Sequence, residues 1–138
     1  MEKLLIRPYQ NSDEDAVIQL WTDCNLTVPQ NDPKKDIKIK MDFQPDLFLV
    51  GAIDNKVIAS AMAGYDGHRG WVNYLAVDPK LRKMGIGRRI MEDIENRLKA
   101  MGCPKINIQV RNTNTAVMEF YKRIGFSDDN VIGMGKRF

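Results

Sequence analysis

The chain has 138 residues, 43% of them hydrophobic and 28% charged, enough to bury the core of one domain and too polar for a membrane or fibrous class. Its net charge of +3 and pI near 8.9 fall short of the basic stripe of a nucleic-acid binder. Two cysteines, Cys24 and Cys103, and a single histidine supply neither a disulfide framework nor a metal-ligand cluster. No apolar run reaches the length of a membrane span and no apolar leader opens the chain, so the expected location is the cytoplasm.

In chain order, Leu4 to Pro8 reads as a short first strand. Asn11, Ser12 or Asp13 can cap a helix running to about Cys24, with Ala16, Val17, Leu20 and Trp21 on its apolar face. Asp32-Pro33 is a helix start, a capping carboxylate followed by proline at the first helical position. Ile37 and Met41 mark the buried side of that helix, which ends before Pro45. Leu47 to Ile53 is an apolar strand, and Asp54-Asn55-Lys56 turns it into an antiparallel return from Val57 to Tyr65. A second turn, Gly67-His68-Arg69-Gly70, leads into a strand from Trp71 to Val77, where Trp71 and Tyr74 read as core residues. Next comes a helix from about Met84 to Met101, with Ile86, Ile90, Ile94 and Leu98 in one stripe and Gly102 and Pro104 ending it. Ile106, Ile108 and Val110 alternate with polar residues as a half-buried strand. Asn114 or a neighbour caps a helix through Ile124, and Val131 to Phe138 is a candidate final strand. The order is βααβββαβαβ, an α/β arrangement after an antiparallel meander, in one domain spanning 1–138.

Chemistry concentrates between Asn73 and Ile90. There a buried strand, a turn at Asp78-Pro79, a basic glycine-containing loop and a helix start follow one another. The first N–H groups of a helix have no intrahelical acceptor and carry partial positive charge, so they suit a phosphate. Gly85 and Gly87 let oxygens approach the backbone, and Arg82, Lys83, Arg88 and Arg89 add charge, although one of the two arginines 88 and 89 belongs on the solvated helix face. The plainer reading of the glycines is a tight strand-to-helix turn. The dinucleotide fingerprint fails because Ile90 stands where a third glycine is needed, and the P-loop pattern fails for want of Gly-Lys-Ser/Thr.

Two motifs carry a resemblance. Arg82-x-x-Gly85-x-Gly87 after Leu75-Ala76-Val77-Asp78-Pro79 resembles the coenzyme A loop of the GCN5-related N-acetyltransferases. Asn112-x-Asn114-x-Ala116, Phe120-Tyr121 and Gly125-Phe126 resemble that superfamily's second signature, in the expected order. The chain is similar along essentially its whole length to small single-domain bacterial members. The resemblance implies a mixed central sheet with flanking helices, in which the strand matching Tyr74 to Val77 bulges and splays from the next strand at the cofactor cleft. It implies acetyl-CoA as co-substrate, no metal, and an amine acceptor, small molecule or protein, with no nucleic-acid or membrane partner and a monomer or homodimer as the assembly. By this resemblance the backbone of Leu75, Ala76 and Val77 meets the pantetheine and acetyl carbonyl. Arg82 and the loop Lys83, Met84, Gly85, Ile86, Gly87 and Arg88 hold the pyrophosphate. Asn114 contacts the cofactor arm, and Tyr121 protonates the departing thiolate.

One departure matters. Many members carry a glutamate base on the strand that here reads Trp71-Val72-Asn73-Tyr74, and this chain has none. Asp66, His68 or ordered water are the candidates left, although a turn histidine is more often a surface residue. Asp32, Asp36, Asp42 and Asp46 fall where an acceptor amine would approach, or are simply a cap and solvated charge. Tyr121 shares a helical face with Val117 and Ile124, so a core tyrosine is its plain alternative. A non-catalytic coenzyme A or acyl-CoA module on the same fold is the alternative function. A nucleotide or nucleic-acid binder using the basic loop is the third.

Overall fold

The computed structural model describes residues 3–138, as two compact units that divide between Asn107 and Ile108. The first holds a five-stranded sheet whose spatial order is its chain order: β1 (Leu5–Pro8), β2 (Phe48–Ile53), β3 (Lys56–Tyr65), β4 (Gly70–Val77) and β5 (Ile106–Asn107). The first four strands are antiparallel, and β5 joins β4 in parallel. Helices α1 (Glu14–Asp23) and α2 (Pro33–Phe43) lie between β1 and β2, and α3 (Ile86–Ala100) makes the crossover from β4 to β5. Asp54 and Asn55, both at positive φ (52° and 63°), form the two-residue hairpin turn whose twist matches its strands.

Local chemistry fixes the helices as their sequence suggests, with two differences. The Asp32 carboxylate accepts the Lys35 N–H at 3.2 Å, with Pro33 in the first turn. Ahead of α1, Asn11–Asp13 is a single tight turn, and the buried Asp13 carboxylate takes both arms of Arg7 (2.8 and 3.0 Å) and the Gln10 N–H. Arg7 thereby holds the Asp13 carboxyl below its usual range, against the opposing effect of burial. Ala16, expected in the apolar face, is exposed, because Val17, Leu20 and Trp21 already fill the contact arc.

Phe48 to Ala52 and Ile58 to Ala63 are buried almost without alternation, the pattern of strands covered on both faces. On one face Val17, Leu20 and Trp21 of α1 and Ile37 of α2 join Phe48, Val50, Met62 and Ala76, with Trp21 stacked on Phe48. The opposite face, with Leu49, Ala59 and Ala61, is left to α3. That helix buries Ile86, Ile90, Met91, Ile94 and Leu98, each side chain contributing about 1.5–3 kcal/mol.

The second unit centres on α4 (Thr115–Arg123), capped by the Asn114 side chain, which accepts the Val117 N–H at 3.2 Å. Gly125, at φ 105°, closes it, and the Phe126 N–H returns to the Tyr121 carbonyl at 2.9 Å. Two expected strands are corrected. Only Ile106–Asn107 of the stretch 106–110 is strand: alternation reports two-faced exposure, not the presence of a ladder partner. Residues 131–138 form no strand either. Val131 and Ile132 are 76% and 88% exposed, so no burial offsets the entropy of ordering a tail that carries Gly133 and Gly135. Among the described residues no helix is long and apolar enough to cross a membrane.

Candidate active site

β4 is the element that builds the site. Its register on β3 slips between Ser60↔Ala76 and Met62↔Asn73, which leaves Tyr74 and Leu75 opposite Ala61 alone. This is a bulge, and Tyr74 sits in it at φ 52°, a conformation costly for a bulky residue. Side-chain contacts hold it there. The Tyr74 ring stacks on Trp21 at 3.9 Å between centroids, its hydroxyl donates to Asp36 Oδ2 at 2.7 Å, and its carbonyl accepts from Ser60 Oγ at 3.1 Å. Ser60 Oγ in turn accepts from Trp21 Nε1 at 2.8 Å. Burial, first, and the Asp36 carboxylate push the Tyr74 phenol well up, so it remains a donor at any working pH. Removing Ser60, fully buried, strands the indole N–H in the core. Ser60→Ala is therefore expected to cost about 1–3 kcal/mol of stability, seen as a lower urea unfolding midpoint.

On its other edge β4 pairs with β5 only at Gly70↔Ile106 and Trp71↔Asn107, so from Val72 onward that edge has no strand neighbour among the described residues. Leu75, Ala76 and Val77 lie on this unpaired stretch. Ala76 is buried, and the Val77 carbonyl accepts the Cys24 thiol at 3.3 Å, which ties the strand end to α1. Asn107, where the two strands part, holds its side-chain oxygen buried with no hydrogen-bond partner. A buried acceptor left in that state is costly. An amide N–H is the donor it lacks, and the pantetheine arm of coenzyme A carries two amides; on this observation the site fits that group. The sequence pattern ranks Asn107 only as one polar residue in an alternating strand.

Beyond β4, Asp78 caps a tight turn, its carboxylate accepting the Lys80 N–H at 3.0 Å. Arg82, Lys83 and Met84 are exposed, and Lys83 and Gly85 both take positive φ (64° and 78°). Gly85 is the N-cap of α3 and offers no side-chain cap; a Cβ built there meets nothing within 4 Å. The helix begins with the Arg89 N–H on the Gly85 carbonyl, which leaves the N–H groups of Ile86, Gly87 and Arg88 without intrahelical acceptors. No acidic residue stands in this first turn. Ile86 points into the core, and Arg88 lies 3.4 Å from Glu92 on the solvated face. Open donors, positive charge and missing Cβ atoms together are suited to an anion.

The base candidates fare unequally. Asp66 Oδ1 accepts the backbone N–H groups of His68 and Arg69, both at 2.7 Å, and these bonds hold its carboxyl below the usual range. Such a carboxylate organises its turn and is a weaker proton acceptor for it. His68 is exposed at the same turn. Asp32 is a helix cap, Asp36 serves Tyr74, and Asp42 pairs with Lys38 at 3.3 Å. Trp71, read as core, is 36% exposed, its indole N–H 3.4 Å from Asp66.

In the second unit Asn114 spends its carbonyl oxygen on the α4 cap. Tyr121 is buried, edge-on to Phe120 and Phe126 at 5.1 and 5.3 Å. Burial pushes its phenol up to about 12, which keeps the proton in place at neutral pH.

The acetyltransferase (GNAT) family model matches residues 14–126. Curated relatives include an acetyltransferase of Yersinia enterocolitica, 43% identical over 96% of this chain and 94% of the relative, and one of Sodalis glossinidius, 44% identical over the same shares. Among solved structures, AAC(6')-Iy in complex with a bisubstrate analogue, CoA-S-monomethyl-acetylneamine, superposes with a TM-score of 0.78 at 17% identity over 99% of this chain and all of that one. Ard1 of Thermoplasma volcanium does so at 0.76 and 19%, over 90% and 82%.

Proposed function

We propose that this chain, which belongs to the GNAT acetyltransferase family, transfers the acetyl group of acetyl-CoA to a primary amine by direct attack on the thioester, with Tyr121 as general acid. The observation that carries the reading is the bulged, one-sided β4 running directly into open helix-start donors at Gly85. In this reading the N–H groups from Lys83 to Arg88, with Arg82, hold the pyrophosphate, and the backbone of Leu75, Ala76 and Val77 orients the arm and the acetyl carbonyl. Asn107 and Asn114 add polar contacts to the arm. Acetyl-CoA supplies the activated acyl group, and most of the acceleration comes from holding amine and thioester together.

Tyr121 gives its proton to the sulfur as the C–S bond breaks. A phenol raised by burial is a weak acid in the resting protein; it gives its proton only as the leaving sulfur becomes a thiolate, and it takes another from solvent as the products leave. The attacking amine sheds its proton to solvent water, since Asp66 is held in its turn. The whole chain acts as one catalytic domain, in the cytoplasm.

The test is titration calorimetry with acetyl-CoA, coenzyme A and ADP, followed by coenzyme A release with a panel of primary amines. Micromolar acetyl-CoA binding and amine-dependent release are expected. Binding no tighter than ADP overturns the reading. Tight binding with no release from any amine favours the non-catalytic acyl-CoA module.

A further inference from the structure

Between α2 and the β3–β4 turn lies a cavity of about 220 Å3, lined by Lys40, Phe43, Gln44, Gly64, Trp71 and Asn73 among others. Lys40 is the unexpected member. It lies three residues after Ile37 on the buried side of α2 and is 8% exposed, whereas lysine is almost never buried without a partner. Among the described residues no carboxylate pairs with it. Its Nζ lies 3.5 Å from Gln44 Oε1 and 5.8 Å from the Phe43 ring centre. That oxygen also accepts the Tyr65 N–H at 3.0 Å, while Gln44 Nε2 donates to the Tyr65 carbonyl at 2.9 Å, so the ammonium has one long hydrogen bond to a shared neutral amide. A Cβ on Gly64 would stand 3.4 Å from Nζ, so the bare backbone there leaves room for the ammonium. A buried cation without a counter-ion is destabilising, and one at the wall of an open cavity is suited to a ligand that brings the missing charge.

We propose that this cavity is the acceptor's anion subsite, and that the acceptor is an elongated amine whose carboxylate, remote from the reacting nitrogen, is bound by Lys40. The proposal rests on the acetyltransferase reading for the position of the amine. Nζ lies beside Gly64, and Ser60, which pairs with Ala76, is four residues back along β3, about 13 Å. Carboxylate and amine are then separated by about the span of a two- to four-residue peptide. Phe43 and Trp71 give that cavity apolar walls. Desolvation alone lowers the Lys40 ammonium to about 8, and a bound carboxylate raises it again. The titratable or charged groups facing it from the end of β3 are Tyr65 and Asp66; β4 contributes the uncharged Trp71 and Asn73.

Two measurements on the full chain separate this subsite from the acetyltransferase reading. In turnover with acetyl-CoA, glycine through tetraglycine are compared with their C-terminal amides. The acid is expected to have a KM at least tenfold below the amide at the best-fitting length, the effect of a charge-assisted contact. Lys40→Met collapses that ratio to within about twofold, while Lys40→Arg keeps it. In calorimetry without acetyl-CoA, N-acetyltriglycine, which has no titratable amine, is bound at pH 8.5 in buffers of different ionisation enthalpy. Wild type takes up a fraction of a proton on binding; Lys40→Arg binds without uptake, because arginine stays charged; Lys40→Met loses binding. Proton-linked binding with no turnover of any amine supports the subsite and removes the transferase. No acid-over-amide preference at any length, a preference that survives Lys40→Met, or N-acetyltriglycine binding undiminished in Lys40→Met overturns the subsite.

Discussion

Titrated with acetyl-CoA, the double variant Gly85→Glu/Gly87→Glu is expected to bind at least a hundredfold more weakly than wild type. Two negative charges enter the one place where open N–H groups and Arg82 gather. A carboxylate at a helix start is itself stabilised by those donors, so the variant fills its own anion site. Charge-assisted bonds to a phosphate contribute about 1.5–3 kcal/mol each, and losing two accounts for the factor. Gly85→Ala separates charge from backbone. Its Cβ meets nothing within 4 Å, but φ 78° is left-handed, which costs a non-glycine residue about 1–2 kcal/mol. That strain lowers thermal stability while acetyl-CoA affinity falls tenfold at most. Affinity of the double variant within threefold of wild type would remove the loop from the cofactor site.

Tyr121→Phe is expected to lower kcat by about 10²- to 10⁴-fold with acetyl-CoA affinity unchanged, the signature of a lost proton donor rather than a lost contact. The ring and its edge contacts with Phe120 and Phe126 remain, so thermal stability is expected to hold. A kcat within twofold of wild type makes Tyr121 a core residue and leaves protonation of the thiolate to water.

Much of this arrangement can be read from residues whose chemistry acts locally. Asp32-Pro33 announces a helix by itself, because both cap and ring act within one turn. Gly85 marks a positive φ, and the stripe Ile86, Ile90, Ile94 and Leu98 describes one face of α3 whatever it packs against. What stays hidden depends on neighbours distant in sequence. The bulge at Tyr74 follows from the family resemblance alone, not from its neighbours in sequence, since Trp21, Asp36 and Ser60 hold it from three other elements. Lys40 carries no motif, although its spacing from Ile37 is a signal that it shares the buried face. Asn107 becomes unusual only because the β4–β5 ladder stops beside it. Val131 and Ile132 have strand composition but no neighbour to pair with.

The coincidence of sheet order with chain order has a kinetic meaning. β2 and β3 close across the two residues Asp54 and Asn55, and β3 and β4 across the short turn at Asp66 to Arg69. β1 must close across the roughly 40 residues that carry α1 and α2, at an entropic cost about 2–3 kcal/mol greater than that of the tight hairpin. The meander is therefore the economical first assembly in folding, with β1, α1 and α2 closing over it at greater entropic cost. The bulge at Tyr74 lies inside that early meander, yet Trp21 and Asp36, which hold it, arrive with the late helices. The nascent β4 edge thus acquires its final shape only when the N-terminal third of the chain closes over it.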